Sequence, residues 1–182
     1  MPHKLVHYFV EGECEKKLID AFKIEPYNVF LPGKVSVFNF LKEKITPNRL
    51  MMLERNTIII LVYDIDILET EILEKNIMTL KLYGFKEIYH IQSIRNFEDE
   101  IVYSCNISNI NEVFKTAGTK EFKSNFIRHK DIVNKLNSCQ FNADKIWSRV
   151  NDISPFKKYS NEDKIKYIKT CKQNKKALIT IK

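Results

Sequence analysis

Apolar residues along the chain form short runs that alternate with stretches of helical spacing. The predicted strands cover residues 4–10, 27–31, 57–66 and 87–91. The predicted helices between them cover residues 13–22, 35–45 and 69–82, and Gly84 follows the third as a stop signal. Strands and helices in this alternating order are typical of an α/β protein with a mostly parallel sheet flanked by helices.

The remainder of the chain is predicted to be mainly helical. Further helices are expected over residues 120–136, 143–150 and 161–173, with a final strand over 177–181. Trp147 is expected to pack in a core rather than to stack on a base. Ser154 and Pro155 mark a boundary before a lysine-rich segment. We therefore expect a main domain over residues 1–140 and a basic, mainly helical segment over residues 141–182, packed on that domain or appended to it.

The most apolar run, Thr57 to Asp66, ends at two carboxylates separated by one residue. Side chains alternate along a strand, so Asp64 and Asp66 are predicted to point to the same side. Parallel sheets carry their chemistry at the carboxyl ends of the strands. Two carboxylates at this spacing repel each other, and a hard divalent cation relieves that repulsion. The same Asp-x-Asp pattern also occurs in turns and helix caps, which is the structural alternative.

Two other acidic sites follow predicted strands. Glu11 precedes Gly12 at the end of the first strand, and Glu15 lies in the first turn of the next helix. A helix start favours acidic residues, which explains Glu15 equally well but does not account for Glu11. After the fourth strand, Glu98 or Glu100 is a candidate for the same cluster, and a helix start explains these two residues nearly as well.

The two main acidic sites together resemble the Toprim domain, the metal-binding module of topoisomerases and bacterial primases. Glu11-Gly12-Glu13-Cys14-Glu15 is followed about fifty residues later by Asp64-Ile65-Asp66, and the form Glu-Gly-x-x-Glu is most similar to overcoming-lysogenization-defect nucleases and small standalone Toprim proteins. The resemblance covers roughly residues 4–105 and implies a Rossmann-like fold. Ile67 stands where the family has a small residue.

The resemblance implies a Mg²⁺- or Mn²⁺-dependent nuclease. It gives catalytic and metal-binding roles to Glu11, Glu15, Asp64 and Asp66, and a later metal-binding role to Glu98. In such sites one ion activates water and a second, about 3.5–4 Å away, stabilises the leaving oxygen. The candidates for nucleic-acid binding are Lys16, Lys34, Arg95, Lys123 and Arg128.

The resemblance also implies a role in phage defence or as a toxin effector, with an ATPase or regulatory protein as partner. The sequence contains no Gly-x-x-x-x-Gly-Lys-Ser/Thr motif, so an ATPase partner is expected to be a separate chain.

Charge is unevenly distributed along the 182 residues. The net charge of +7 arises from nine lysines between Lys157 and Lys182 against Glu162 and Asp163, and the preceding residues are neutral overall. Such a segment favours contact with a phosphate backbone, and a solvated lysine-rich helix is the alternative. Lysine contacts are common to DNA and RNA, so both are candidate substrates.

The distribution of apolar residues also predicts where in the cell the protein is found. No apolar segment approaches the roughly 20 residues that span a bilayer, and the first residues lack a signal-peptide layout, so we expect a cytoplasmic protein with no membrane partner. The four cysteines and four histidines are scattered, which argues against a structural zinc site.

Two other functions fit parts of the pattern. A phosphatase of the haloacid-dehalogenase type also ends an apolar strand in Asp-x-Asp, but here Asp66 is not followed by Gly-Thr and the pair occurs late in the chain. A non-catalytic Toprim-like module that binds nucleic acid or protein would keep the fold, with its acidic residues serving a structural role.

Overall fold

Four parallel strands form one sheet in the computed structural model, which describes residues 5–66 and 68–160. The strands are β1 (Val6–Val10), β2 (Lys34–Val37), β3 (Ile58–Asp64) and β4 (Ile88–Ser93), in the order β2-β1-β3-β4. Every pairing is parallel. The predicted α/β architecture with a parallel sheet flanked by helices is therefore confirmed.

Strand β3 is central and is covered on both faces, as its uninterrupted apolar sequence predicts. Its side chains alternate between two hydrophobic cores. One core takes Ile58, Ile60 and Val62, and the other takes Ile59, Leu61 and Tyr63. The carboxyl end of this strand is therefore anchored from both sides of the sheet.

Six α-helices flank the sheet in the described part of the chain. They are α1 (Glu13–Phe22), α2 (Pro47–Met51), α3 (Glu71–Leu82), α4 (Phe97–Ser104), α5 (Thr119–Arg128) and α6 (Ile132–Asn137). Apolar residues of α1, α4, α5 and α6 share the first core, and those of α2 and α3 share the second. None of the helices in residues 5–66 and 68–160 is long and apolar enough to cross a membrane.

The region between α1 and α2 differs from the sequence-based prediction. Residues 27–31 form no strand, although Phe30 and Leu31 are buried in the first core. The helix predicted over residues 35–45 is also wrong, because residues 34–37 form β2. Val35 and Val37 pair with Tyr8 and Val10 of β1, and this pairing with a strand 27 residues away overrides the helical spacing of the local sequence.

Two later helices also differ from prediction. The segment predicted as continuous helix over 120–136 is split, since α5 ends at Arg128 and Asp131 begins α6 by accepting a hydrogen bond from the Asn134 amide. The helix predicted over 143–150 is wrong, because residues 143–147 form turns and residues 148–150 are irregular. There the amide of Trp147 donates to Glu100 Oε2 at 3.1 Å, and Trp147 has a φ of 53°, which is incompatible with a continuing helix.

The other elements follow prediction closely. Helix α3 precedes Gly84, whose φ of 95° suits the residue that ends a helix. Trp147 is buried in the first core, as expected. Phe156 is buried in the second core, so residues beyond 140 pack against both faces of the sheet. The predicted helix over 161–173, the predicted strand over 177–181 and most of the basic segment lie outside the described residues, as does Ile67.

Candidate active site

Acidic side chains gather at the carboxyl edge of the sheet, where β1, β3 and β4 end. Glu11 directly follows β1, and its amide donates to the carbonyl of Val62 in β3 at 3.1 Å. Asp64 is the last residue of β3 and pairs with Ser93, the last residue of β4. Because these strands are adjacent and parallel, Glu11, Asp64 and Ser93 come together at one edge although 82 residues separate the first from the last.

Glu11 is fixed to the neighbouring strand by both carboxylate oxygens. Its Oε2 accepts a hydrogen bond from the backbone amide of Asp64 at 3.1 Å. Its Oε1 accepts from Asn39 Nδ2 at 2.8 Å, and Lys42 Nζ lies 3.8 Å from the same oxygen. The Glu11 carboxylate therefore holds a defined position over the ends of β1 and β3.

Glu15 is buried beneath this edge, in the first turn of α1. The absence of a side chain at Gly12 leaves space for it, because a Cβ at that position would lie 3.1 Å from Glu15 Oε2. Burial raises the pKa of Glu15 to about 7, with the charges of Glu11 and Glu98 adding to the effect and a hydrogen bond to its own backbone and Lys123 opposing it. Glu15 thus sits near the midpoint of its titration at neutral pH.

Asp64 is the most strongly perturbed acid of the edge. Burial raises its pKa to about 8, with the charges of Glu15, Glu11 and Asp66 adding to the effect and a hydrogen bond to the Ser93 side chain partly offsetting it. Its Oδ1 is buried and has no hydrogen-bond partner among the described residues. A buried polar atom without a partner is costly, so this oxygen is the atom of the site that most favours a bound ligand.

Asp66 and Glu98 lie at the margin of the group. Asp66 is exposed, and its charge contributes to the raised pKa of Asp64. Glu98 is buried in the first turn of α4, where its Oε1 lies 3.0 Å from Lys123 Nζ. Glu98 is thus part of the acidic field around Glu15 and already has a cationic partner.

Glu100, the other acid considered in this segment, has a structural role. It is completely buried and accepts hydrogen bonds from the amides of Ile94 and Trp147 and from the Arg149 guanidinium. The indole of Trp147 in turn donates to Ser93 Oγ at 3.1 Å. Glu100 therefore fixes the segment that supports Ser93, which pairs with Asp64 between β4 and β3.

The acidic side chains at this edge are Glu11, Glu15, Asp64, Asp66 and Glu98. Their oxygen atoms are the type of ligand that a hard cation prefers. Within the described residues, no group of three or more His, Cys, Asp or Glu side chains is arranged to hold a metal ion. The acids nevertheless offer only oxygen donors, repel one another and include the unpartnered Asp64 Oδ1. The donor set therefore fits Mg²⁺ or Mn²⁺ in its chemistry.

The five predicted nucleic-acid contacts lie in different surroundings. Lys123 contacts the acidic group through Glu98. Lys16 lies 3.8 Å from Glu13, and Arg95 is exposed, 3.7 Å from Asp99. Arg128 is exposed at the end of α5, and Lys34 begins β2 at the opposite end of the sheet.

Sequence reasoning missed Asn39, Lys42 and Ser93. Asn39 and Lys42 lie within the helix wrongly predicted over residues 35–45, which concealed that they follow a strand. Ser93 was concealed because the fourth strand was predicted to end two residues before it, at residue 91. Placing the ends of β2 and β4 correctly would have brought all three to the acidic edge.

Comparison of the chain with protein-family models, with curated proteins and with solved structures gave no match.

Proposed function

We propose that this protein is a Mg²⁺- or Mn²⁺-dependent nuclease that hydrolyses phosphodiester bonds of DNA or RNA at the carboxyl edge of its sheet. The observation that carries the proposal is the buried Oδ1 of Asp64, which has no partner among the described residues. Burial and then the charges of Glu15, Glu11 and Asp66 raise the pKa of this carboxyl. A divalent cation would supply that oxygen with a partner and neutralise the repulsion among the acids.

We assign different roles to the residues at this edge of the sheet. Asp64, Glu11 and Asp66 are the groups that would hold the cation, which when bound activates water and stabilises the charge of the leaving oxygen. Glu15, whose pKa is raised to about 7 by burial, is suited to transfer a proton near neutral pH. Lys42 and Lys123 lie beside Glu11 and Glu98, where they can contact substrate phosphates.

The resemblance of these residues to the Toprim nucleases supports the same proposal. It extends the proposal to a role in phage defence or as a toxin effector, acting with an ATPase or regulatory protein on a separate chain. Glu98 is assigned as a further metal ligand on the same basis, and binding there requires it to exchange its contact with Lys123 for the cation.

A non-catalytic module that binds nucleic acid or protein is the second candidate. Two observations favour it. No three acidic side chains of the described residues are arranged to hold a metal ion, and both oxygens of Glu11 already accept hydrogen bonds. A carboxylate oxygen has two lone pairs, so these bonds leave room for a cation, and metal binding separates the two candidates.

The deciding experiment combines metal titration with cleavage of plasmid, single-stranded DNA and total RNA. We expect cleavage only with Mg²⁺ or Mn²⁺, and a decrease of roughly 100-fold or more in Asp64→Asn and in Glu11→Gln, equivalent to about 2.7 kcal/mol of transition-state stabilisation. Glu13→Gln is the matched control, since Glu13 is an exposed acid of the same helix as Glu15. Undiminished cutting by Asp64→Asn protein would refute the assignment, and metal-independent binding without cleavage would favour the non-catalytic module.

A further inference from the structure

A cavity of about 330 Å³ opens beside β1 and β2, away from the acidic edge. It is lined by His7, Phe9, Lys34, Ser36, Thr46, Asn48, Arg49, Met52 and Leu53. His7 pairs with Lys34 at the start of β2, whereas Glu11 follows the far end of β1. Glu11 follows His7 by four residue steps of extended chain, which is about 13 Å. The cavity and the acidic edge are therefore distinct places on the sheet.

The charge of the cavity is entirely positive. Lys34 and Arg49 are its charged residues, and no carboxylate of the described residues lines it. Neither cation forms an ion pair with a carboxylate in residues 5–66 and 68–160. Burial lowers the pKa of the neighbouring His7 to about 4, and the positive charges of Lys34 and Arg49 add to the effect. Two cations without counter-charges beside a cavity favour an anionic ligand.

A second cavity shows that this imbalance is not general. That cavity, of about 350 Å³, lies between α1 and α6 and contains Lys17 and Lys130. Its lining also includes Asp20 and Asp131, which balance the two lysines. Lys130 is exposed and so provides a matched control for Lys34, which is also exposed.

The polar groups of the first cavity are held in place. The guanidinium of Arg49 lies 4.4 Å from the centre of the Phe38 ring, a cation–π contact that favours this position. His7 Nε2 and Ser36 Oγ share a hydrogen bond of 3.0 Å. Asn48 and Thr46 add an amide and a hydroxyl at the rim. Planar guanidinium, ammonium, amide and hydroxyl donors around one space match the oxygens of a phosphate group.

The remaining wall of the cavity is apolar. Phe9, Met52 and Leu53 line it, and Met52 is exposed. An inorganic anion bound to the two cations would leave these apolar side chains exposed to water. A ligand that carries a planar, weakly polar ring next to its phosphate would cover it, and a nucleotide has this composition.

We propose that this cavity binds the phosphate group of a nucleotide through Lys34 and Arg49, with the base against Met52 and Leu53. The nucleotide is either free or one unit of a polynucleotide. The proposal goes beyond the nuclease assignment and does not depend on it, because the cavity uses none of the acidic residues.

The test is isothermal titration of the full chain without divalent metal, using adenosine 5′-monophosphate, adenosine and a short single-stranded oligonucleotide. We expect Lys34→Gln and Arg49→Gln each to weaken binding about tenfold, the effect of one charge-assisted hydrogen bond, and Lys130→Gln to leave it unchanged. Weakening seen with the mononucleotide assigns the site to free nucleotides, and weakening seen with the oligonucleotide alone assigns it to polynucleotides.

Three results would overturn the proposal: no binding of either phosphate ligand, equal affinity in the wild type and both variants, or adenosine binding as tightly as its monophosphate. Lys34 is exposed, so Lys34→Gln is decisive even if Arg49→Gln lowers the melting temperature. Measurement without metal separates this proposal from the nuclease assignment. Loss of cleavage in Asp64→Asn with intact nucleotide binding leaves the cavity proposal standing.

Discussion

Glu11 and Asp64 are joined across 53 residues of sequence by a hydrogen bond from the Asp64 amide to Glu11 Oε2, 3.1 Å long. The bond connects the side chain at the end of β1 to the backbone at the end of β3. It directs the Glu11 carboxylate to the backbone of Asp64. The Oδ1 of Asp64 has no partner in the described part of the chain. The geometry of the acidic edge thus follows from the adjacency of two parallel strands.

The raised pKa values of Asp64 and Glu15 predict a contribution to the stability of the metal-free protein that is lost as pH rises. The pKa of Asp64 is about 8 in the folded protein and near 3.8 when unfolded, and that of Glu15 is about 7 against 4.5. The folded state therefore holds protons that the unfolded state releases. The contribution is fully present below about pH 4 and disappears as pH rises to 8.

Asp64→Asn should reduce this pH dependence, because the amide does not titrate. We expect the melting temperature of the wild type, without metal, to fall by roughly 5 °C more than that of Asp64→Asn between pH 5 and pH 8. Differential scanning fluorimetry in chelator measures both. His7, whose pKa is lowered by burial, titrates in the opposite sense but is common to the two proteins, so it cancels in their difference. Parallel pH curves would show that Asp64 is ionised at ordinary pH in the folded state.

We predict that the ion pair of Glu100 and Arg149 stabilises the segment around Trp147, whose indole donates a hydrogen bond to Ser93. Arg149→Met removes the cation at 2.6 Å from a carboxylate that is completely buried, and such a change costs about 3–5 kcal/mol. Chemical denaturation measures the free energy of unfolding. Arg95→Met is the control, because Arg95 is exposed and 3.7 Å from Asp99, and it should change stability by less than about 1 kcal/mol. Equal effects of the two substitutions would contradict this role.

Gly33 is predicted to be required by the close approach of its backbone to β1. A Cβ at this position would lie 2.5 Å from the carbonyl oxygen of Val6 and 2.8 Å from Val6 Cβ. Gly33→Ala should therefore lower the free energy of unfolding by about 1–3 kcal/mol, since backbone must shift to accommodate it. A Cβ at Gly118 would meet nothing within 4 Å, so Gly118→Ala should remain within about 0.5 kcal/mol of the wild type. Thermal or urea unfolding of both variants checks the difference, and an unchanged Gly33→Ala protein would refute the steric constraint.

The basic end of the chain yields a prediction from sequence alone. Seven lysines lie beyond the described residues: Lys164, Lys166, Lys169, Lys172, Lys175, Lys176 and Lys182. Replacing them with glutamine should weaken nucleic-acid binding and flatten its dependence on salt, by about 0.7–0.9 in the logarithmic slope for each phosphate that the variant no longer neutralises. Fluorescence anisotropy at several salt concentrations measures the slope. An unchanged slope would make these lysines a solvated surface only.

Much of the architecture could be predicted from local sequence. The apolar run of β3 and the helical spacing of α1 and α3 identified those elements. In each case the positions of the apolar residues in the sequence match the positions that are buried. The same run placed Asp64 at a strand end. Local pattern failed at residues 35–45, where β2 forms because Val35 and Val37 pair with β1, and at residues 143–150, where Glu100 holds the Trp147 amide.

The sequence by itself therefore determined the α/β class and the identity of the acids at the strand ends. Only the tertiary structure decided that Glu11 bonds to the backbone of Asp64, that Asp64 Oδ1 is left without a partner among the described residues, and that Lys34 and Arg49 share a cavity with His7. The physical reason is that burial, charge and hydrogen bonding at these sites depend on residues distant in the chain. Their proximity is fixed by the pairing of strands and the packing of two cores.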